Sequence, residues 1–431
     1  MADVTQANNI AQANKPITLL AILAVALLLR IGAALYLGNT VSGLSGANDE
    51  ITYSMLGHRF ATGHGMTFPE PWYPWIAADA PQSYFSYTFS LFIAGIYKLF
   101  GFYPLAARLV MALLSTAIVG MVYLLGRRLF SETVALLAAG IAAIYAYLIF
   151  YGAALVTETP FTLALMITLY VAVRIREREL QGIWAWCLLG VILAIAVLSR
   201  VAVIFFVPIL LLWLYWSLRQ EIKLPMLFIP LVMIGLALLP LTSRNYQLWG
   251  EFALSEAQFG HVFWNGNHPG HMGNFHPFKV FPIPEDVLTL NNDVLITNTL
   301  LHMAVANILA DPWNFVMLTI TRLRELFVFW PTSDSTLQAN LLRVFSFGLI
   351  VPFALYGIAA NLRRFGELAP IYLFFIIHVG VYAVTWTMVR YRVPLDPFFI
   401  LFAAHTLTRF YGTLRGRRPA MLAPHQQAAS N

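Results

Sequence analysis

Charge is what this chain lacks most. Only 11% of its 431 residues are Asp, Glu, Lys or Arg, against 59% hydrophobic. A soluble chain of that size could not cover its surface with so few charges. Cysteine is nearly absent as well: Cys187 stands alone, which rules out an intrachain disulfide. No Gly-rich phosphate loop, no Gly-x-Ser-x-Gly elbow and no His-Glu-x-x-His helix is written anywhere in the chain. Internal repeats are missing too, and low complexity is confined to the polar ends. The net charge of +6 is modest, and topology accounts for most of it, so no nucleic-acid partner is expected.

What is present is apolar residues in runs of about twenty, the length that crosses a bilayer as helix. Mean hydropathy is +0.72. The chain reads as an all-α polytopic membrane protein. Ten spans are expected: Pro16–Leu37, Pro104–Leu125, Thr133–Ala153, Thr159–Val173, Ile183–Leu198, Val201–Leu218, Pro225–Leu241, Leu342–Leu362, Ala369–Met388 and Pro394–Tyr411. Residues 1–15 are polar and lack a basic n-region and a cleavage site, so the first span is expected to be retained.

Basic clusters at Arg127–Arg128, Arg174 to Arg178, Arg219 with Lys223, Arg363–Arg364, and Arg415 with Arg417–Arg418 fix alternate loops as cytoplasmic. Both ends of the chain then lie inside. Residues 84–100 are apolar enough to span, but crossing there would break that parity. Their aromatics and Lys98 suit a helix lying in the outer interface. Residues 313–330 carry Arg322, Arg324 and Glu325 and are treated alike. Two long loops remain outside, 38–83 and 242–340. The second, rich in Gly, Pro, Asn and His, is expected to cover the membrane surface as a lid within one domain, 1–431.

Against so few charges, the carboxylate pair Asp49–Glu50 in the stretch Gly46–Tyr53 is conspicuous. Acids at a helix start, with Asn48 or Asp49 as N-cap, have a purely structural reading. A carboxylate held beside the bilayer is equally a general base or metal ligand. Glu70 and Asp79 share that outer loop. Glu158, before Pro160, falls at the same face and has the same two readings. Arg200, Arg244, Arg390 and Arg392 lie outside, where the charge rule disfavours them. They either snorkel to lipid headgroups or bind the phosphate of a lipid substrate. Arg30, within the first span, is expected to snorkel outward. His261, His268, His271 and His276 match no metal-ligand spacing and are expected to be solvated.

In order, Asn48-Asp-Glu-Ile-Thr-Tyr53, Ala61-Thr-Gly-His-Gly65, Ala78-Asp-Ala-Pro81, Gly126-Arg-Arg-Leu-Phe130, Val156-Thr-Glu-Thr-Pro-Phe161, Leu198-Ser-Arg200, Arg244-Asn245 and Arg390-Tyr-Arg-Val-Pro394 resemble the GT-C-fold membrane glycosyltransferases of family 39. That family holds protein O-mannosyltransferases and lipid A aminoarabinose transferases. The resemblance implies a GT-C fold and a sugar donor on a polyprenyl phosphate. It places Asp49 at the family's catalytic acid and Glu158 at its second acid. Arg200 and the group Arg390, Tyr391 and Arg392 resemble positions that contact the donor phosphate. Some relatives carry an acidic-basic-Pro triplet where this chain has Asp79-Ala80-Pro81, so the basic partner is missing. No soluble domain is expected after the last span.

The expectation is an inverting glycosyltransferase of the cytoplasmic membrane, active at the outer face on a lipid, glycan or protein acceptor. Asp49, Glu50 and Glu158 are its candidate catalytic groups. Arg200, Arg244, Arg390, Tyr391 and Arg392 would bind the phosphate, and Asp79 is a further candidate. A divalent cation between Asp49 and Glu158 is a candidate cofactor; no organic cofactor is expected. Two other functions compete: a lipid-linked-sugar flippase or secondary transporter, and a lipid-linked glycan polymerase or ligase. Transporters tend to carry midplane charges and repeats, neither of which is visible.

Overall fold

A computed structural model describes residues 15–43, 49–219, 221, 223–273, 281–333 and 335–415. Asn48, His276, Arg417, Arg418 and residues 1–14 lie outside the described residues. Helices α1 (Lys15–Leu37), α2 (Asp49–Ala61), α3 (Tyr87–Phe100), α4 (Pro104–Leu129), α5 (Glu132–Ile144), α6 (Ala146–Phe150), α7 (Glu158–Arg176), α8 (Gly182–Ser199), α9 (Val207–Leu218) and α10 (Phe228–Trp249) form the first part. An insertion follows with α11 (Phe259–Gly266), α12 (Glu285–Leu288), α13 (Asp293–Ala310) and α14 (Pro312–Leu326). The chain returns through α15 (Leu337–Arg343), α16 (Leu349–Ala360), α17 (Phe365–Val384) and α18 (Asp396–Leu414).

Contacts between helix ends define two faces of the bundle. At one, Arg128 pairs with Glu177 and Glu179, Arg178 with Glu221, and Arg364 donates to Leu129 O at 2.8 Å. The ends of α4, α7 and α9 and the start of α17 therefore meet there, and with them the basic clusters. At the other, Arg108 joins the end of α1, the starts of α2 and α4, and the residues after α6. Arg200 joins the end of α8 to the start of α7 and the end of α17. Ten segments thus run between the faces: α1, α4, α5 with α6, α7, α8, α9, α10, α15 with α16, α17 and α18.

Among the described residues, length and apolarity alone select nine helices able to cross a membrane, and that set differs from the bundle in an instructive way. It includes α13, whose neighbours are α11, α12 and α14 of the same insertion. Asp293 at the start of α13 accepts from Trp75 Nε1 at 2.7 Å and from Ser83 N at 2.6 Å. This helix belongs to the covering layer. The set omits α18, and it omits α5, which is too short because the run breaks at Tyr145 before α6. Arg30 explains how that break is tolerated. It is fully buried, not snorkelling. It donates to Ala142 O at 3.2 Å, Ala143 O at 2.9 Å and Ser115 Oγ at 2.7 Å. Carbonyls left open at the end of α5 so find a donor inside the bundle.

α3 is about 21 Å long at 1.5 Å per residue, short of the ~30 Å hydrocarbon core. It lies against α2, with Tyr97 and Ser54 hydroxyls 2.7 Å apart. Leu99 and Phe100 at its end are exposed. The insertion docks tightly on the bundle: a Cβ at Gly266 would collide with the backbone carbonyl of Thr385, just past α17. Arg322, fully buried, clamps the same junction. It donates to Gly266 O, and to Ala383 O and Val384 O at 3.1 Å each.

Candidate active site

Between the insertion and the end of the bundle lies a cavity of about 510 Å³. The charged groups in and directly behind its wall come from four separate elements. Asp49 opens α2, Glu158 opens α7, Arg200 follows α8, and Arg390 sits on the short 3₁₀ turn Val389–Arg392 after α17. Acids at helix starts sit well with the helix dipole, so their placement costs little locally.

These four side chains form one alternating chain of charge. Arg390 Nη2 donates to Asp49 Oδ2 at 2.5 Å. Its Nε stands 3.3 Å from Glu158 Oε1 as an ion pair. Arg200 Nη2 donates to that same Glu158 oxygen at 2.5 Å. Arg200 also donates to Tyr382 Oη at 2.7 Å and Thr157 Oγ1 at 3.2 Å. Tyr391 stacks on Tyr382 with centroids 4.4 Å apart and faces the Arg200 guanidinium at 5.0 Å. Among the described residues, Glu158 Oε2 is buried without a hydrogen-bond partner. Asp49, Arg200, Arg390 and Tyr391 line the cavity; Glu158 lies directly behind them.

The remaining candidates stand elsewhere. Glu50, adjacent to Asp49 in sequence, points away and is fully buried. It takes two hydrogen bonds from Arg108, each 3.0 Å, and one from Leu155 N at 3.2 Å. Arg108 spends its other N–H groups on Gly38 O, Thr40 O and Ala153 O. Arg392 is fully buried against Asp396 at 3.0 Å and the Phe347 ring at 3.6 Å, outside the cavity wall. Arg244 lies on α10, which runs past its expected end at Leu241. It donates to Gln82 O and Ser83 Oγ and covers the Tyr87 ring at 4.0 Å. Asp79 is exposed and pairs with Arg59, which supplies from α2 the basic partner missing from the local triplet. Glu70 is exposed.

Other cavity residues carry no sequence motif. Glu256 comes from the segment between α10 and α11, and burial pushes its carboxyl up to about 7. His261 is buried rather than solvated, with Tyr84 Oη 2.6 Å from Nδ1 and Tyr73 Oη 3.3 Å from Nε2. Burial lowers this imidazole to about 4, so it is neutral at pH 7. His271 is buried also, against Trp386. Their only signal in the sequence was the density of His, Gly and Asn in the second loop.

Among the described residues no three His, Cys, Asp or Glu side chains converge as metal ligands. The Arg390 guanidinium contacts both Asp49 and Glu158. A dication shared by those carboxylates would meet that positive charge, so the residues do not fit one.

Residues 86–243 match the family model described as dolichyl-phosphate-mannose-protein mannosyltransferase. Comparison with curated proteins finds no match. Among solved structures, the Archaeoglobus fulgidus oligosaccharyltransferase AglB, in complex with an inhibitory peptide and a dolichol-phosphate, superposes with a TM-score of 0.56 at 14% identity. The match covers 96% of this chain and 53% of AglB. The apo form of the Archaeoglobus enzyme gives 0.55 at 15% identity, over 93% and 52%. ArnT from Cupriavidus metallidurans, bound to undecaprenyl phosphate, gives 0.43 at 16% identity, over 92% and 79%. The chain spans about half the length of the archaeal enzyme. It is a polytopic membrane protein with the GT-C fold of membrane glycosyltransferases, similar across residues 86–243 to the dolichyl-phosphate-mannose-protein mannosyltransferases.

Proposed function

We propose that the protein is an inverting glycosyltransferase that moves a sugar from a polyprenyl phosphate to an acceptor hydroxyl at the outer face of the cytoplasmic membrane. The observation that carries this reading is the charge chain Asp49–Arg390–Glu158–Arg200 at the wall of a half-open cavity. It supplies a base and two guanidiniums within one site. In the reaction, Asp49 takes the acceptor proton and the acceptor oxygen forms a bond to the sugar's anomeric carbon. The bond from that carbon to the phosphate oxygen breaks, and its electron pair leaves with the lipid phosphate. Attack from the side opposite the leaving group inverts the centre. Arg200 and Arg390 stabilise the charge that grows on the phosphate, and Glu158 holds both in place. No step runs through a metal ion.

The experiment is a transfer assay with a panel of labelled polyprenyl-phosphate sugars. Arg200→Lys and Arg390→Lys keep the charge and remove the planar fork. If the arginines grip a phosphate in two places, each variant weakens donor use by roughly tenfold, about 1.4 kcal/mol. Arg409, exposed on α18 near the basic face, is the control and should accept lysine. Wild-type donor use by both variants would remove the phosphate role and favour a transporter.

The outward orientation rests on the basic clusters gathered at the opposite face. Arg127 there is mostly exposed. In a Cys187→Ser background, Arg127→Cys should resist an impermeant thiol reagent in intact cells and react in inverted vesicles. Labelling from outside would turn the cavity to the cytoplasm.

A further inference from the structure

The base in this site is not free. Asp49 accepts from Arg390 at 2.5 Å, a charge-assisted bond that occupies its Oδ2. Arg390 is also one of the two cations that face the cavity where a phosphate would lie. Its other contact, to Glu158, is buried: Glu158 is 1% exposed and Arg390 6%, whereas Asp49 is 40% exposed. Asp49 is therefore the member of the chain that an incoming anion can displace with least disturbance. Arg200 keeps Glu158 neutralised meanwhile, at 2.5 Å.

The charge bookkeeping of the reaction points the same way. The donor is a phosphodiester with one negative charge, and Asp49 carries another. After transfer the carboxyl is protonated and neutral, while the departing monoester approaches two negative charges near neutral pH. The sum is unchanged, but it has moved from the carboxylate to the phosphate. A guanidinium that reaches both sites follows that movement.

We propose that Arg390 masks Asp49 in the resting protein, and that binding of a lipid-linked phosphate draws Arg390 from Asp49 and releases the base. The inference rests on the polyprenyl-phosphate reading above. It makes binding ordered, donor before acceptor, because Arg390 occupies Asp49 Oδ2 until the phosphate arrives.

The test uses the full chain in nanodiscs and undecaprenyl phosphate as the probe, with inorganic phosphate as the control anion. Asp49→Asn removes the negative charge that competes for Arg390 and leaves only a neutral acceptor. It should bind undecaprenyl phosphate roughly tenfold more tightly than wild type, although its turnover is strongly reduced. The gain should vanish when Asp49→Asn is placed in an Arg390→Gln background, because the coupling runs through that guanidinium. Arg390→Lys repeats the comparison in a variant that keeps the buried charge, and there the gain should shrink. A gain that persists without Arg390 would show through-space repulsion only and overturn the masking. Unchanged or weaker binding by Asp49→Asn would overturn it too, since carboxylate and guanidinium would then act on the phosphate together. If inorganic phosphate shows the same gain and the lipid form binds no better, the occupant is free phosphate and the lipid assignment falls. If the wild-type protein and all variants fail to bind either probe, the donor reading itself fails, and the masking with it.

Discussion

Asp49→Asn should reduce transfer by ~10²–10⁴-fold, the usual cost of losing a general base, while leaving the protein folded. Both halves follow from position. The side chain is 40% exposed at the start of α2, so the substitution opens no hole in the core. Asparagine keeps an oxygen that can accept from Arg390, which retains its contact with Glu158. What disappears is the ability to take a proton. The measurement is turnover with labelled polyprenyl-phosphate sugar at equal amounts of folded protein, judged by size-exclusion profile and melting temperature. Turnover within a few-fold of wild type would end the catalytic assignment. So would a loss of folded protein that matches the loss of activity.

The fold was largely legible because bilayer helices obey two simple rules, length and charge asymmetry. Eight of the ten expected spans coincide with helices long and apolar enough to cross, and the other two fall on α5 with α6 and on α18. The errors have definite causes. The seventh span was expected to end at Leu241, yet α10 continues to Trp249 with Pro240 inside it. Neighbouring groups in a membrane bundle can absorb a lost backbone bond. Helix α13 was hidden by polar residues such as Asn292 and Asp293, which cap and anchor it.

The site was legible only residue by residue, never as pairs. Asp49 and Arg390 meet across 341 positions, and Glu50 meets Arg108 across 58. No periodicity encodes such contacts. Scarcity of charge marked Asp49, Glu158, Arg200 and Arg390 as unusual, and they do converge. The same scarcity marked Glu50, Arg392 and Arg244, which are equally buried or bonded but build the frame. A low charge density selects residues that matter without saying whether they matter to chemistry or to assembly. Glu256 and His261 escaped because a single acid or histidine in a polar loop looks solvated until the loop is folded over the bundle.

The neighbouring acid gives the opposite result from Asp49, and the contrast separates frame from chemistry. Glu50→Gln should destabilise the protein by about 3–5 kcal/mol, the usual consequence of leaving one member of a buried ion pair without its partner. Arg108 and Glu50 are both fully inaccessible. The glutamine amide can accept one of the two Arg108 hydrogen bonds, but its NH₂ faces the other N–H group and the charge stays uncompensated. Four chain segments depend on that guanidinium: the exit of α1 at Gly38 and Thr40, the start of α2, α4 itself, and Ala153 after α6. Loosening them shifts the start of α2, and Asp49 with it, so activity falls as a secondary effect. Thermal unfolding of purified protein in one detergent measures the loss. Replacing the pair together, Glu50→Gln with Arg108→Met, should recover part of it, because removing a buried pair costs less than breaking one. If Glu50→Gln instead melts like wild type and fails only in transfer, Glu50 acts on substrate, and the division between Asp49 as base and Glu50 as frame is wrong.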